Sequence, residues 1–268
     1  MFNKRHIVRT IAATVSILAL SFTAACGSGQ STASNSTDSD DITQQTYKPG
    51  KLTIATGQPA VAYAVADKLG FKKSDVVWTR TAFDTAIAPG AKDWDFNIQQ
   101  FGITDERKKA VDFSSSYYND SQSVVVKKDS KFANATKVSD LKDATVGVMV
   151  GTLAYDYAKA NIKDDIQTFN DDAALAQALD AGQIDALVTS TVECVYMVQS
   201  EQVKDAKVLG RLPDSEDKSG MGIVLPKDSK LTAAVTKAVD DLNADGTIKK
   251  LQDKWLAEYT TDLTELKK

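Results

Sequence analysis

The residues best placed to do chemistry lie between Gly102 and Ser114, in the run GITDERKKAVDFS. Thr104 can cap a helical turn, with Asp105 and Glu106 favourably placed by the helix dipole behind it. Arg107 then projects from that first turn beside free backbone N–H groups. A guanidinium next to clustered backbone donors suits a carboxylate, because Arg engages both oxygens at once. Charge runs at helix starts are more often solvated, and spacing alone favours that plainer role for Arg107. The rest of the chain removes whole classes of catalysis. Its 268 residues include one histidine, His6, and two cysteines, Cys26 and Cys194. If His6 leaves with an N-terminal leader, no imidazole remains for acid–base work, a Ser-His-Asp site or a metal. Two cysteines make neither a disulfide framework nor a CxxC cluster. Cys194 reads as a buried or half-buried free thiol, since no base is at hand. Asp38, Asp40 and Asp41, and the pair Asp164 and Asp165, lack calcium-loop spacing. No catalytic residue, metal or cofactor is expected, and the chain reads as a binder.

The N-terminus reads as an export signal. Lys4, Arg5 and Arg9 precede an apolar stretch, Ile11 to Phe22, and then Thr23-Ala24-Ala25-Cys26. The apolar run is shorter than the ~20 residues that span a bilayer. The stop before a lone cysteine resembles a bacterial lipobox, with Thr23 where leucine is more usual. Residues 1–25 are thus expected as a lipoprotein signal peptide, with Cys26 lipidated as the new N-terminus; an ordinary cleaved signal is the alternative. Residues 26–50 are mostly small and polar, the composition of a flexible tether to the outer face of the cell membrane. Loss of the leader leaves 29 basic against 36 acidic residues, a net charge of −7. With no basic run, nucleic acid is not an expected partner.

From Lys51 the pattern alternates between strands and helices. Lys51–Ala55, Val76–Arg80, Ser121–Lys127, Val146–Met149 and Ile184–Val188 read as strands. Ala60–Leu69 closes at Gly70, Leu153–Ala160 follows Gly151-Thr152, and Asp171-Asp172 look like a cap for Ala173–Ala181. A helix through Val235, Val239 and Leu242 breaks at Gly246 before a last one carrying Ile248, Leu251 and Trp255. Trp94 and Trp255 read as packing residues. Alternating elements argue parallel sheets with ligand space at the strands' C-terminal ends.

Thr104 to Ser114 with Tyr117-Tyr118 resembles the motif of polar amino-acid-binding proteins of bacterial ABC importers, the extracellular solute-binding proteins of family 3. Val146 to Thr152 with Asp156 to Asn161, Gly182 to Ala186, and Asp245 to Thr247 through Lys254-Trp255 match in order. The resemblance implies an α/β, two-lobed, periplasmic-binding-protein-like (type II) fold with a central cleft and two hinge strands. Lobe 1 would be residues 51–127 and 228–268, and lobe 2 residues 128–227, with Ser123–Lys128 and Gly222–Pro226 crossing between them. A monomer is expected, delivering a small ligand to ABC permease subunits.

The resemblance assigns Arg107 to the ligand's α-carboxylate, with Gln100, Gly102 and Thr104 beside it. Gly151 and Thr152 would supply a second set of donors at a helix start. Phe83 matches an aromatic that covers the ligand side chain, a core Phe being the alternative. Three departures stand out. Gly102 replaces a usual Ser or Thr, the loop between the first strand and Ala60 is contracted, and the acidic anchor for the α-ammonium falls on Ser190. An ammonium buried without a carboxylate costs several kcal/mol. Either Glu193, one turn after Ser190, replaces the anchor, or the ligand lacks an α-ammonium, or binding is weak. The expected function is a substrate-binding component for an amino acid or related small carboxylate. A non-transport sensor lipoprotein and an enzyme on the same fold are the alternatives.

Overall fold

The computed structural model describes residues 41–57 and 59–268. The leader and Cys26 lie outside the described residues. Along the chain run β1 (Leu52–Gly57), α1 (Pro59–Lys68), β2 (Val76–Thr79), α2 (Phe83–Ile87), β3 (Phe96–Gly102), α3 (Asp105–Lys108) and β4 (Val111–Tyr118). There follow β5 (Gln122–Lys127), β6 (Val146–Met149), α4 (Leu153–Asn161), β7 (Gln167–Phe169), α5 (Asp172–Asp180), β8 (Ala186–Ser190), α6 (Thr191–Gln199) and β9 (Ala206–Arg211). The chain ends with β10 (Met221–Pro226), α7 (Thr232–Ala244), α8 (Thr247–Trp255) and α9 (Ala257–Thr260).

Two five-stranded sheets organise two lobes, in the orders β2-β1-β3-β10-β4 and β7-β6-β8-β5-β9. Both sheets are mixed, where the alternating pattern predicts parallel ones. β10 runs antiparallel to β3 and β4, and β5 antiparallel to β8 and β9. The strands next to each crossing enter from the other lobe, so they meet the parallel βα units head-on. Each sheet carries its own core. Leu52, Ile54, Phe96 and Ile98 pack with α1 and α7 in lobe 1, and Val124, Val126, Val146 and Val188 pack with α4 in lobe 2.

The crossings differ from those expected at 127 and 227. β5 lies wholly in the second sheet and β10 wholly in the first, so the links are residues 119–121 and 212–220. The reason is burial. Val124, Val125 and Val126 are fully buried and belong inside a sheet, flanked by β8 and β9, not across a gap. Asp120 in the first link accepts hydrogen bonds from Ser121 N (2.8 Å) and from Val192 N (3.1 Å) at the start of α6. Burial pushes its pKa up to about 6 against those bonds.

Two further segments depart from their expected places. Residues 41–50, read as tether, pack on lobe 1. Ile42 touches the core and Thr46 is buried, while Tyr47 N and Thr53 N (2.5 Å) donate to the buried carboxylate of Asp95. That carboxylate needs donors, and the segment supplies one. Residues 263–268, assigned to lobe 1, lie along the edge of β9 in lobe 2. Arg211 N donates to Thr264 O and Leu266 N to Arg211 O, both at 2.8 Å. The tail covers an otherwise open sheet edge, and Leu266, 4% exposed, fills the lobe 2 core. Leu266→Ala is therefore expected to cost about 2–3 kcal/mol, the lower half of the range for buried Leu→Ala, because a tail can rearrange. Urea unfolding would read this as a lower midpoint with an unchanged slope.

Candidate functional site

β3 carries Gln99, Gln100 and Gly102 to the face where the lobes meet, and the next turn supplies Arg107. Thr104 caps α3, its Oγ1 accepting from Arg107 N at 3.2 Å. The Arg107 side chain is not in a solvated ion pair. Its Nη1 donates to Gly102 O at 2.7 Å and its Nη2 to Gly151 O, on the other lobe, at 2.8 Å. The guanidinium lies 5.5 Å from the Phe83 ring centre, and Phe83 stacks on Phe101 with centroids 4.4 Å apart. Phe83 thus both covers the cleft and joins the core. Burial lowers the Arg107 pKa while Asp217 and Asp156 raise it. An arginine remains charged under such a shift. Two of its five donors are used, leaving others for a carboxylate.

Lobe 2 offers two helix starts. Thr152 caps α4, with Oγ1 accepting from Tyr155 N (3.2 Å) and donating to Met149 O (2.7 Å). Its hydroxyl is committed, so the ligand-facing donors at this end are the early backbone N–H groups of α4. Ser190 caps α6, accepting from Glu193 N (3.3 Å) and donating to Gln100 Oε1 (2.9 Å). Gln100 Nε2 donates in turn to Glu193 Oε2 at 3.4 Å. Gln100 holds this bridge between lobes from a left-handed backbone, φ 59°, a conformation that non-glycine residues reach at some cost.

The acids of the cleft are perturbed. Burial first, and then the charge of Asp172, push the Glu193 pKa up to about 7, against the Gln100 hydrogen bond. Burial, with Asp171 alongside, pushes Asp172 up to about 6. Asp172 Oδ1 is buried with no hydrogen-bond partner. Asp171 is the cap of α5, accepting from Ala174 N at 2.7 Å. Its neighbour therefore turns into the cleft. Asp172 is missing from the sequence-predicted set because both acids read as cap, although only one side chain can fill that place.

The cleft has a volume of about 60 Å³. A cavity of roughly 150 Å³ binds benzene, so with the lobes in this position the cleft has room for a few waters. Of the predicted residues, Phe83, Gln100, Gly102, Arg107, Thr152, Ser190 and Glu193 line it. Thr104 instead lines a neighbouring cavity with Asp217, and Gly151 contributes its carbonyl to Arg107. Gln99, Gln122, Met149, Leu153, Thr189 and Met221 are among the other wall residues, with Asp172. Gly102 allows the close approach. A Cβ there would stand 2.5 Å from Leu153 Cδ1 of lobe 2 and 2.6 Å from Asp217 Oδ2. Both atoms end flexible side chains, so a side chain at this position would displace them rather than the backbone.

Among the described residues no group of His, Cys, Asp and Glu is arranged to hold a metal ion. Nor is any described helix long and apolar enough to cross a membrane.

Comparison with known proteins bears on the family and the fold. Residues 57–258 match the bacterial extracellular solute-binding proteins, family 3. The chain is 30% identical to an L-arginine-binding protein of Pseudomonas aeruginosa, over 79% of this chain and 85% of that one. It is 31% identical to the L-cystine-binding protein TcyJ of Escherichia coli K12, over 68% and 67%. In three dimensions it resembles an ancestral arginine-binding protein bound to arginine, with TM-score 0.65 and 30% identity over 77% of this chain and 98% of that one. The two lobes and their sheets are those of the periplasmic-binding-protein-like type II fold. With a matched region running through both lobes, the chain belongs to the bacterial extracellular solute-binding proteins of family 3, extracytoplasmic proteins that bind substrates for transport.

Proposed function

We propose that this protein captures an amino acid between its lobes, as a lipid-anchored component that serves an ABC permease without chemical turnover. The observation that carries this is the polarity of the cleft. At one end the Arg107 guanidinium is half-buried and bonded only to carbonyls, facing the start of α4. At the other stand Glu193 and the unpartnered Asp172. A carboxylate satisfies the first end and an ammonium the second, which is the charge pattern of an α-amino acid. The names of the relatives above, arginine- and cystine-binding proteins, support the same class. Glu193 takes the ammonium, in place of the acid that Ser190 lacks.

The empty lobes are held together by the Arg107–Gly151 and Gln100–Ser190 bonds. Ligand must replace these bonds as the lobes part and close again, and it drives closure only through its preference for the closed form. Lipidation at Cys26 would keep the domain at the membrane, where the permease is. The test is a thermal-shift screen of the mature chain against the twenty amino acids and small organic acids. Saturable stabilisation by an amino acid is expected, about 2.7 kcal/mol at a hundredfold excess over Kd. No shift across the panel overturns the receptor reading. Palmitate labelling that persists in Cys26→Ser overturns the anchor.

A further inference from the structure

Beyond the cleft lies a larger open space that the receptor reading does not use. A groove of about 890 Å³ runs between α1 and α8 of lobe 1 and α6 of lobe 2. Its walls include Ile98, Tyr118, Leu251 and Trp255 on one side and Val195 and Tyr196 on the other. Trp255 is 56% exposed and Tyr196 54%, so large apolar surface faces water here. The groove and the cleft share four residues: Gln99, Gln100, Asp172 and Glu193. They are two halves of one passage, divided at the Gln100–Glu193–Ser190 bridge.

Three observations say what fills it. The cleft and the groove meet at Gln100 and Glu193, so a ligand that is held at Arg107 and displaces this bridge opens onto the groove. The wall at the neck is acidic and Asp172 Oδ1 is unpartnered there, which fixes the ammonium at that point. What continues beyond the neck then meets apolar surface, where burying apolar groups is favourable. The chain's own N-terminal segment has nothing to fill the groove. From Gly27 to Thr46 its only large apolar residue is Ile42, which already packs on lobe 1.

We propose that this groove is the side-chain subsite of the ligand, which is an amino acid carrying a large apolar or aromatic side chain. This rests on the receptor reading above and narrows it. The α-carboxylate meets Arg107, the ammonium displaces the Gln100 carboxamide from Glu193, and the side chain lies between Trp255 and Tyr196.

The experiment is calorimetry of the mature chain with L-tryptophan, L-phenylalanine, L-alanine and L-arginine, paired with tryptophan fluorescence for the non-tryptophan probes. L-Tryptophan and L-phenylalanine are expected to bind at least tenfold tighter than L-alanine and L-arginine. L-Phenylalanine should shift protein emission to the blue, and Trp255→Phe should remove that shift. Trp255→Ala and Tyr196→Ser, both at exposed positions with circular dichroism as the folding check, should each weaken L-tryptophan at least fivefold. L-Alanine or L-arginine binding as tightly as L-tryptophan overturns the proposal and leaves the receptor reading standing. Unchanged L-tryptophan affinity in both variants also overturns it. So does a ligand-independent dimer that buries Trp255, since a second copy would then cover the groove. No binding of any amino acid removes the receptor reading and this proposal together.

Discussion

Replacing Arg107 with alanine is expected to weaken amino-acid binding by about 30- to 150-fold, or about 2–3 kcal/mol, the typical worth of hydrogen bonds to a charged partner. The side chain is held in place before any ligand arrives. Its turn is capped by Thr104, its Nη1 is held on Gly102 O of its own lobe, and its plane lies near Phe83. Little ordering entropy is left to lose when a carboxylate binds. Arg107→Lys should recover only part of the loss. One ammonium cannot hold Gly102 O and also meet both carboxylate oxygens in a planar fork. Calorimetry of wild type, Arg107→Ala and Arg107→Lys with the same amino acid makes the check, and equal dissociation constants would remove Arg107 from the site.

Glu193→Gln is expected to weaken an ammonium-bearing ligand at least tenfold and to flatten its pH dependence. In the empty cleft burial raises this carboxyl to about 7, against a reference near 4.3. The native state therefore holds a proton that the unfolded chain has released over that window. Stability of the empty protein contributed by Glu193 thus falls as pH rises from about 4 to about 7. Ligand affinity moves the opposite way. An ammonium favours the ionised form, so binding expels the proton and strengthens as pH climbs through 6 to 7. Asp172, at about 6, adds a smaller part at the lower end. Calorimetry in two buffers of different ionisation enthalpy should show proton release near pH 6.5 in wild type and less in Glu193→Gln. Identical proton release in both proteins would assign the ammonium elsewhere.

Much of the architecture could be read from local pattern, because local pattern decides it. The Val146–Met149 strand, the helix from Leu153 and the cap at Thr104 each follow from residues within a few positions of one another. The crossings could not be read this way. Val124-Val125-Val126 announces a strand, but only pairing with β8 and β9 says which sheet takes it. Trp94 and Trp255 look alike as packing residues. Trp94 is 2% exposed in the lobe 1 core, whereas Trp255 is 56% exposed and lines the groove opposite α6. The site divides in the same manner. Arg107 carries its signal in the preceding cap and the motif around it. The Gln100 bridge joins residues 90 and 93 positions apart, and the turn of Asp172 into the cleft depends on Asp171 taking the cap. Neither relation has a spacing to announce it.

The central claim is that this cleft holds an α-amino acid by its carboxylate at Arg107. The most direct measurement is a calorimetric comparison of the tightest-binding amino acid with its own α-carboxamide, which keeps the side chain and ammonium and removes the negative charge. Binding weakened at least thirtyfold by amidation, with the difference gone in Arg107→Ala, is the predicted result. A carboxamide that binds as tightly as the free acid would contradict it.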